Sequence, residues 1–323
     1  MKYVYVLTSS ENDYYYEQFF ISVTSLRLHN PNAFIVVLID SKTKQSLTGK
    51  RSGFEQIVSE TIIITTPPEF SQKEVSRWIK TSINKYVSGD FLYIDCDTVI
   101  AGDLCCDFLP ENIGAILDTH VSLEKHYLCP FFNEQDKRAG FISSFETGKR
   151  FNGGVIFYRD SPAANDLFLR WHSLWLLSKE KGVHQDMPAL NQANYEMPGI
   201  ITEMPGEWNC QITHNGLPFL ADARIIHCFA TSIKLYDCPF LPASIPILAS
   251  VKESGNISAE LKELLKNPKA AFETNSRIIS GKNELEVINS KLFSFLLFLK
   301  KNMPCLFKSI NSFILKTRAK TQK

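Results

Sequence analysis

The sequence predicts an α/β fold in which a mostly parallel central sheet is flanked by helices. Its first hundred residues alternate short apolar runs with segments of helical spacing, and the runs show no polar alternation. Strands that are apolar on both faces are typical of parallel sheets covered on both sides. The 323 residues suffice for one large domain and an extension.

The first hundred residues contain four predicted strands and two predicted helices. The strands, rich in β-branched and aromatic residues, cover 2–8, 34–39, 57–65 and 91–94. A first helix is predicted over 13–29, where apolar residues recur at helical spacing until Asn30. A second is predicted over 71–87, because Ser71 and Glu74 form the sequence signature of a capping box.

After residue 110 the pattern predicts longer loops between the elements. The later strands are predicted over 114–117, 155–158 and 223–228, and the later helices from Ser161-Pro162 through Trp175 and over about 185–194. Residues 119–150 are predicted to form a long irregular loop. A proline-rich segment over 237–246 predicts a domain of residues 1–245 followed by a linker and a helical extension over 246–323.

Composition and charge exclude several classes of protein. The formal net charge is +1, so overall charge gives no reason to expect nucleic-acid binding. No run reaches the roughly 18 apolar residues that a membrane-spanning helix needs. The N-terminal segment lacks the pattern of an export signal, and the eight cysteines show no zinc-binding spacing. These features predict a cytoplasmic protein with reduced thiols.

Two aspartates follow the fourth predicted strand directly. Asp95 and Asp97 are two residues apart in an extended segment, so both carboxylates point to one side and Cys96 points to the other. The flanking residues are apolar, and two like charges there are costly unless a cation or hydrogen-bond donors compensate them. Carboxylates at the carboxyl edge of a parallel sheet suit Mg²⁺ or Mn²⁺, which would neutralise a diphosphate.

Four segments of the chain occur in the order found in one enzyme family. They are LYIDCDTVI at 92–100, FNGGV at 151–155, HQDMPALN at 184–191 and IIHCF at 225–229. Together they resemble the glycosyltransferases of family eight, the GT-A fold type that includes glycogenin and bacterial lipopolysaccharide galactosyl- and glucosyltransferases. The resemblance covers about residues 1–240 and implies a nucleotide-diphospho-sugar transferase fold.

The resemblance implies a metal site and a catalytic pair. His227 ends an apolar strand, and its imidazole would join Asp95 and Asp97 as the third ligand of Mn²⁺, or of Mg²⁺. Asp186 would bind hydroxyls of the donor sugar, and Gln185 would lie near the anomeric carbon. His184 stands where the family usually has aspartate, which leaves the sugar preference open.

The residues assigned to the donor and its nucleotide are Thr8, Arg77, Lys80, Asp95, Asn152, Gly153 and Lys234. Arg77 and Lys80 lie one helical turn apart and can reach the donor phosphates. Thr8 ends the first strand, where the family holds the base. Asn152 offers an amide to sugar hydroxyls, and the glycines after it allow close approach to the backbone. Lys234 would replace the family's diphosphate-binding lysine from one position later.

These observations predict a metal-dependent hexosyltransferase that uses a nucleotide diphosphate sugar, expected to be a UDP-sugar. The resemblance implies a glycan or lipid-linked acceptor in bacterial surface polysaccharide synthesis and retention of configuration. An inverting enzyme would need a carboxylate base, for which Glu203 and Glu207 are candidates. A non-catalytic binding protein is the first alternative. A sugar-1-phosphate nucleotidyltransferase is the second, although residues 8–12 lack the expected glycine-rich, arginine-containing loop.

The C-terminal segment is both basic and apolar. Residues 287–323 include eight lysine or arginine residues and no acidic residue, and the run 292–299 is rich in phenylalanine and leucine. Apolar residues flanked by lysines suit the surface of an anionic membrane. The extension therefore predicts peripheral attachment to the inner face of the plasma membrane. The alternative is a helix packed on the catalytic domain.

Overall fold

The computed structural model describes residues 1–105, 110–228, 244–272, 283, 286–287 and 289–321. Within these ranges the side chains of 144, 145, 271, 272 and 313–321 are not described. Lys234 and the proline-rich segment before Ser244 lie outside the described residues.

Two sheets contain the strands of the described chain. In chain order the strands are β1 (Lys2–Leu7), β2 (Phe34–Asp40), β3 (Glu60–Ile64), β4 (Phe91–Ile94), β5 (Thr98–Ile100), β6 (Ile113–Leu117), β7 (Phe151–Tyr158), β8 (Ile201–Glu203), β9 (Cys210–Gln211) and β10 (Ile225–His227). Seven of them form the large sheet in the order β3-β2-β1-β4-β7-β6-β8, and β5-β10-β9 form a small sheet.

The large sheet is mostly parallel, as predicted. Its pairs β3-β2, β2-β1, β1-β4 and β6-β8 are parallel, whereas β7 is antiparallel to both neighbours, β4 and β6. The strand β7 is longer than predicted because it begins at Phe151 and includes Gly153 and Gly154. A register shift between Ala115 and Ile116 lies opposite these glycines, which is where a strand glycine often marks an irregularity or a close approach.

Helices cover both faces of the large sheet. They are α1 (Tyr15–His29), α2 (Ser41–Ser46), α3 (Gln72–Thr81), α4 (Cys129–Ala139), α5 (Ser144–Thr147), α6 (Pro162–Glu180), α7 (Met187–Glu196), α8 (Ile245–Ser254) and α9 (Ala259–Lys266). The side chain of Ser71 accepts from the backbone of Glu74 and completes the predicted capping box of α3. The predicted cap of α6 is also confirmed, since Ser161 accepts from the backbone amide of Ala164.

Strand β1 shows how the sheet divides the core into two layers. Tyr3, Tyr5 and Leu7 belong to the apolar cluster that contains α1, and Val4 and Val6 belong to the cluster that contains α3 and α6. Alternate residues of a strand point to opposite faces, and here both faces are buried. Because both faces of β1 are buried, successive positions of this strand are apolar, and this is the pattern that predicted a sheet covered on both sides.

The segment 119–150, predicted to be irregular, contains a regular helix. Helix α4 has Pro130 in its first turn and ends at Gly140, whose φ of 74° is left-handed. Its N-cap is Leu128, which forms no side-chain cap, so Pro130 and Gly140 are the local sequence signals of this helix. The prediction for these residues was wrong in that respect.

Helices α8 and α9 pack against α1. Leu248 and Val251 of α8 and Leu261 and Leu265 of α9 are buried in one cluster with Ile21 of α1. Residues just beyond the predicted boundary at 245 thus contribute to the same core, although the boundary itself stays a prediction.

The chain ends in what we term the C-terminal helical pair, Lys291–Asn302 and Pro304–Thr321. On the first of these helices Leu292, Phe295 and Phe298 are exposed. Within the described ranges, no helix has the length and apolar character needed to cross a bilayer.

Candidate functional site

Asp95, Asp97 and His227 lie together at the carboxyl end of β4. Each offers one ligand atom, and these atoms all lie within 4.8 Å of one another. The small sheet brings them together, because β10 pairs antiparallel with β5 and sets His227 opposite Thr98. The backbone amide of Cys228 also donates to the carbonyl of Asp97 at 2.9 Å. Residues 130 positions apart in the sequence are therefore fixed by backbone hydrogen bonds.

The side chains of this cluster are strongly polarised. Nε2 of His227 lies 3.2 Å from Oδ1 of Asp97. Burial alone would lower the pKa of His227, but the Asp97 carboxylate outweighs burial and raises it. Burial alone would raise the pKa of Asp97, and the His227 ring reverses that effect and lowers it. The phenol of Tyr93 donates to Oδ1 of Asp95. Burial first, and then the Asp95 charge, raise the pKa of Tyr93 and keep it a donor.

The absence of a side chain at Gly154 leaves room for the side chains of His227 and Asp95. A Cβ added there would lie 2.4 Å from Cε1 of His227 and 2.9 Å from Oδ2 of Asp95. The backbone of Asp95 is tied to the same residue, since its amide donates to the carbonyl of Gly154 at 2.8 Å. Two carboxylates and an imidazole around this space are a suitable donor set for Mn²⁺, and the carboxylates also suit Mg²⁺. The residues present fit a divalent cation.

A second charged group adjoins the cluster. Nζ of Lys80 lies 3.4 Å from Oδ1 of Asp95 and 3.2 Å from Oδ2 of Asp186, and Nε of Arg77 lies 3.7 Å from Oδ1 of Asp186. Burial alone would lower the pKa of Lys80, but the carboxylates of Asp186 and Asp95 raise it. Burial alone would raise the pKa of Asp186, but Lys80 and Arg77 lower it. Lys80 and Asp186 therefore stay ionised at neutral pH.

Arg77 is the more accessible of the two basic residues. Its side chain is 31% exposed, whereas that of Lys80 is 9% exposed. Nε of Arg77 is nevertheless buried and lacks a hydrogen-bond partner among the described residues. Because Nε faces Asp186 at 3.7 Å, an anionic ligand would contact the exposed part of the Arg77 side chain. Lys80 is already held between two carboxylates.

The charges of the site favour an anion once a cation is present. Asp95, Asp97 and Asp186 supply three negative charges, against the two positive charges of Lys80 and Arg77. A divalent cation reverses this balance and makes the local charge positive. A diphosphate would then compensate it.

The remaining predicted residues lie around this centre. A Cβ added at Gly153 would meet Asp186 Oδ2 and Lys80 Nζ, each at 3.4 Å, so its backbone faces them closely. Gln185 is half-buried and directly precedes Asp186 at the start of α7. Thr8 is buried beyond the end of β1, and its carbonyl accepts from Nε2 of Gln72. The four sequence motifs thus meet at one edge of the sheet.

Asn152 is close to the cluster but is already hydrogen-bonded. Its Oδ1 accepts from the amide of Gly154 at 2.9 Å and from Nδ2 of Asn209 at 3.0 Å, and its Nδ2 donates to Asp118 at 3.0 Å. Its side chain supports the site from within the protein. The contact of Asn152 with sugar hydroxyls remains a prediction.

Sequence reasoning missed several residues of the site. Tyr93 and Asp118 were assigned no part in it, although Asp118 follows the apolar strand β6 directly, as Asp95 follows β4. That shared position could have identified Asp118. Trp208 is buried and packs edge-on against Phe157.

Comparisons with known proteins support the fold. A scan against protein-family models gives no match, and a search of curated proteins gives none either. Among solved structures, the glycosyltransferase GlyE of Streptococcus pneumoniae TIGR4 is similar, with 17% identity and a TM-score of 0.50. That match covers 84% of this chain and 64% of GlyE. The likeness shows a fold shared with a glycosyltransferase and confirms the predicted fold class.

Two other solved structures are similar with lower scores. Mouse xyloside xylosyltransferase 1 has 11% identity and a TM-score of 0.46, and the match covers 71% of this chain and 98% of that one. The bifunctional glycosyltransferase WbbM has 17% identity and a TM-score of 0.47, with 71% of this chain and 45% of WbbM covered. This chain therefore spans less than half of WbbM and just under two thirds of GlyE.

Proposed function

We propose that the protein is a metal-dependent glycosyltransferase that moves a hexose from a nucleotide diphosphate sugar, a UDP-sugar, to a glycan or lipid-linked acceptor. The observation that carries the proposal is the cluster of Asp95, Asp97 and His227 beside the ion-paired Lys80 and Asp186. It lies at the carboxyl edge of a mostly parallel sheet, where such folds bind ligands. GlyE, whose fold is similar, is itself a glycosyltransferase.

In this proposal Asp95, Asp97 and His227 hold Mn²⁺ or Mg²⁺. The cation supplies charge compensation for the diphosphate and makes it a better leaving group. The imidazole ligand favours Mn²⁺, because Mg²⁺ prefers oxygen ligands alone. The side chain of Arg77 is partly exposed beside Asp186, and its positive charge would bind a donor phosphate.

Asp186 and Gln185 would act on the sugar. Asp186 is buried, stays ionised beside Lys80 and lies next to the backbone of Gly153. A carboxylate in that position can accept hydrogen bonds from sugar hydroxyls. Gln185 would lie near the anomeric carbon, Thr8 would contact the base, and Asn152 and Gly153 would border the sugar. Lys234 would add a phosphate contact, and transfer would retain configuration.

The C-terminal helical pair would attach the enzyme to the inner face of a plasma membrane, which places its acceptor among lipid-linked precursors of bacterial surface polysaccharide. Leu292, Phe295 and Phe298 form an exposed apolar stripe on the first helix, and Lys300 and Lys301 close that helix. An apolar stripe beside lysines binds anionic lipid surfaces. The eight basic residues over 287–323 add long-range attraction.

A thermal-shift screen of nucleotide sugars tests the proposed function. A ligand that binds the native state raises the melting temperature by mass action. We expect UDP and UDP-hexoses to raise it in the presence of Mn²⁺ and to have no effect in EDTA. CMP and GDP serve as matched control nucleotides and should give no shift.

The outcomes separate the proposed enzyme from its alternatives. Stabilisation by UDP in EDTA would contradict the cation site, and a preference for GDP or CMP would contradict the assigned donor. Release of UDP from a UDP-hexose would exclude a non-catalytic binding protein. Formation of a UDP-sugar from UTP and a sugar 1-phosphate would identify a nucleotidyltransferase instead.

A further inference from the structure

We propose that a buried hydrogen-bonded chain fixes the tautomer of His227, so that Nε2 of this residue presents a lone pair to the cation. The chain, which we term the relay, consists of His126, Asp118, Asn152 and Asn209. This inference rests on the proposed cation site. It assigns positioning roles to His126, Asp118 and Asn209, which contact no substrate in the proposed function, and adds such a role for Asn152.

The relay is continuous across four separate segments of the chain. Nε2 of His126 lies 3.2 Å from Oδ2 of Asp118, and Oδ1 of Asp118 accepts from Nδ2 of Asn152 at 3.0 Å. Oδ1 of Asn152 accepts from Nδ2 of Asn209 at 3.0 Å. Oδ1 of Asn209 lies 2.9 Å from Nδ1 of His227. Every step is within hydrogen-bond distance.

Two backbone amides determine the direction of every hydrogen bond in the relay. The amide of Leu128 donates to Nδ1 of His126 at 3.1 Å, so the proton of a neutral His126 is on Nε2 and faces Asp118. The amide of Gly154 donates to Asn152 at 2.9 Å, so the atom of Asn152 that faces it is an oxygen. Backbone amides can only donate. The orientations of His126 and Asn152 are therefore determined by backbone amides and do not depend on His227.

The orientation of Asn209 follows from that of Asn152. A flipped Asn209 would place its oxygen against Oδ1 of Asn152, and a flipped Asn152 would place its oxygen against the Asp118 carboxylate. Either arrangement sets two acceptors face to face, and a flipped Asn152 would also face the Gly154 amide with a donor. The amide oxygen of Asn209 must therefore face His227. Nδ1 of His227 then keeps its proton, and Nε2, which faces Oδ1 of Asp97 at 3.2 Å, is the nitrogen that would give up its proton when a cation binds.

Burial gives the relay its influence over His227. Asn209 is 0% exposed, Asn152 3%, His227 2%, His126 1% and Asp118 8%. A buried polar group that loses its partner bears the full cost of desolvation. The alternative tautomer of His227 would place the lone pair of Nδ1 against Oδ1 of Asn209, so two acceptors would face each other. Because both residues are buried, water cannot easily supply the missing donor. An imidazole whose second nitrogen donates to a protein acceptor is held in its ring orientation and is a better metal ligand.

Replacing Asn209 with leucine tests the relay. Asn209→Leu keeps similar volume and removes the acceptor for Nδ1. We expect the dissociation constant for Mn²⁺, measured by electron paramagnetic resonance of the free ion, to rise about 10- to 100-fold. Gln211→Leu is the matched control. Gln211 is also a buried amide, bonded to Leu117 and Thr119 and outside the relay, so its replacement should lower stability and leave cation affinity within about threefold.

A spectroscopic measurement reports the tautomer directly. In wild-type protein with ¹⁵N-labelled histidine and bound ¹¹³Cd²⁺, we expect the His227 metal coupling at Nε2 and a proton at Nδ1. Cadmium coupling at Nδ1 would overturn the relay, and so would unchanged Mn²⁺ affinity in Asn209→Leu. Failure of the wild type to bind any cation would instead contradict the proposed function. The wild-type spectrum decides the question even where Asn209→Leu does not fold.

Discussion

Replacing Gly154 with alanine should destroy the cation site while leaving the fold in place. The added Cβ would lie 2.4 Å from Cε1 of His227 and 2.9 Å from both Oδ1 of Asn152 and Oδ2 of Asp95. Carbon atoms in favourable contact are about 3.5 Å apart, so the His227 ring would have to move by about 1 Å. Both the ring and the Asp95 carboxylate belong to the proposed ligand set.

The size of the effect follows from these contacts. Overpacking a buried site costs roughly 1–3 kcal/mol. We expect the free energy of unfolding of Gly154→Ala, measured in urea, to fall within that range. A displaced ligand should weaken Mn²⁺ binding at least about tenfold, which corresponds to about 1.4 kcal/mol of binding free energy. Isothermal titration calorimetry with Mn²⁺ measures this change.

The neighbouring glycine provides the matched control. A Cβ at Gly153 would lie 3.4 Å from its nearest neighbours, Asp186 Oδ2 and Lys80 Nζ, which these flexible side chains can accommodate. Gly153→Ala should bind Mn²⁺ within about threefold of the wild type. Equal Mn²⁺ affinity in Gly154→Ala and the wild type would refute the proposal that the cation binds beside Gly154.

Four further predictions concern chemistry, stability and the extension. Asp97→Ala should abolish Mn²⁺ binding and transfer, and EDTA should abolish transfer by the wild type until Mn²⁺ is restored; full transfer in EDTA would be inconsistent with the site. Asp186→Asn should lower turnover far more than UDP affinity, because Asp186 is proposed to hold the sugar and not the diphosphate; an equal loss of UDP binding would indicate a structural role. Burial alone would raise the pKa of Asp118, but hydrogen bonding to His126 lowers it to about 2 from 3.8. A carboxylate whose pKa is lower in the folded protein than in the unfolded chain stabilises the fold at pH values above the unfolded pKa. This stabilisation is lost as the pH falls toward the folded pKa. The wild type should therefore lose about 1 kcal/mol more than Asp118→Asn between pH 6 and pH 3 in urea unfolding, and parallel losses would count against that pKa. Truncation after residue 285 should keep turnover of a water-soluble acceptor and release the protein from anionic vesicles, whereas aggregation of the truncated chain would favour core helices.

The elements that could be predicted from sequence are those whose determinants are local. The capping box of Ser71 and Glu74 needs only two residues three positions apart, and both of its hydrogen bonds form. The alternation of Tyr3, Val4 and Tyr5 between two core layers follows from the strand period. Helix α4 lacks a capping side chain, because Leu128 forms no cap, and its local signals are Pro130 in the first turn and Gly140 at the end.

Strand direction could not be read from the sequence. Every residue of strands β4 and β7 is buried, yet β7 is antiparallel to β4 while β1 is parallel to it. A buried run gives no information about direction. The order of the connections determines direction, and that order depends on long-range packing.

The sequence correctly grouped the three proposed cation ligands, but it did not identify the residues that hold them in position. Asp95, Asp97 and His227 were grouped from their positions at strand ends, and the structure places their ligand atoms within 4.8 Å of one another. Asn209 and Asp118 reach the same place from a turn and from the end of β6. Their contacts depend on the fold of β7 between them, which no local pattern specifies.

Anomalous diffraction from crystals grown with UDP and Mn²⁺ would locate the cation directly. We expect a manganese peak in contact with Oδ atoms of Asp95 and Asp97 and with Nε2 of His227, and density for the diphosphate on its other side. A manganese peak elsewhere, or UDP bound at this edge of the sheet with no manganese between it and these three side chains, would contradict the proposed cation site.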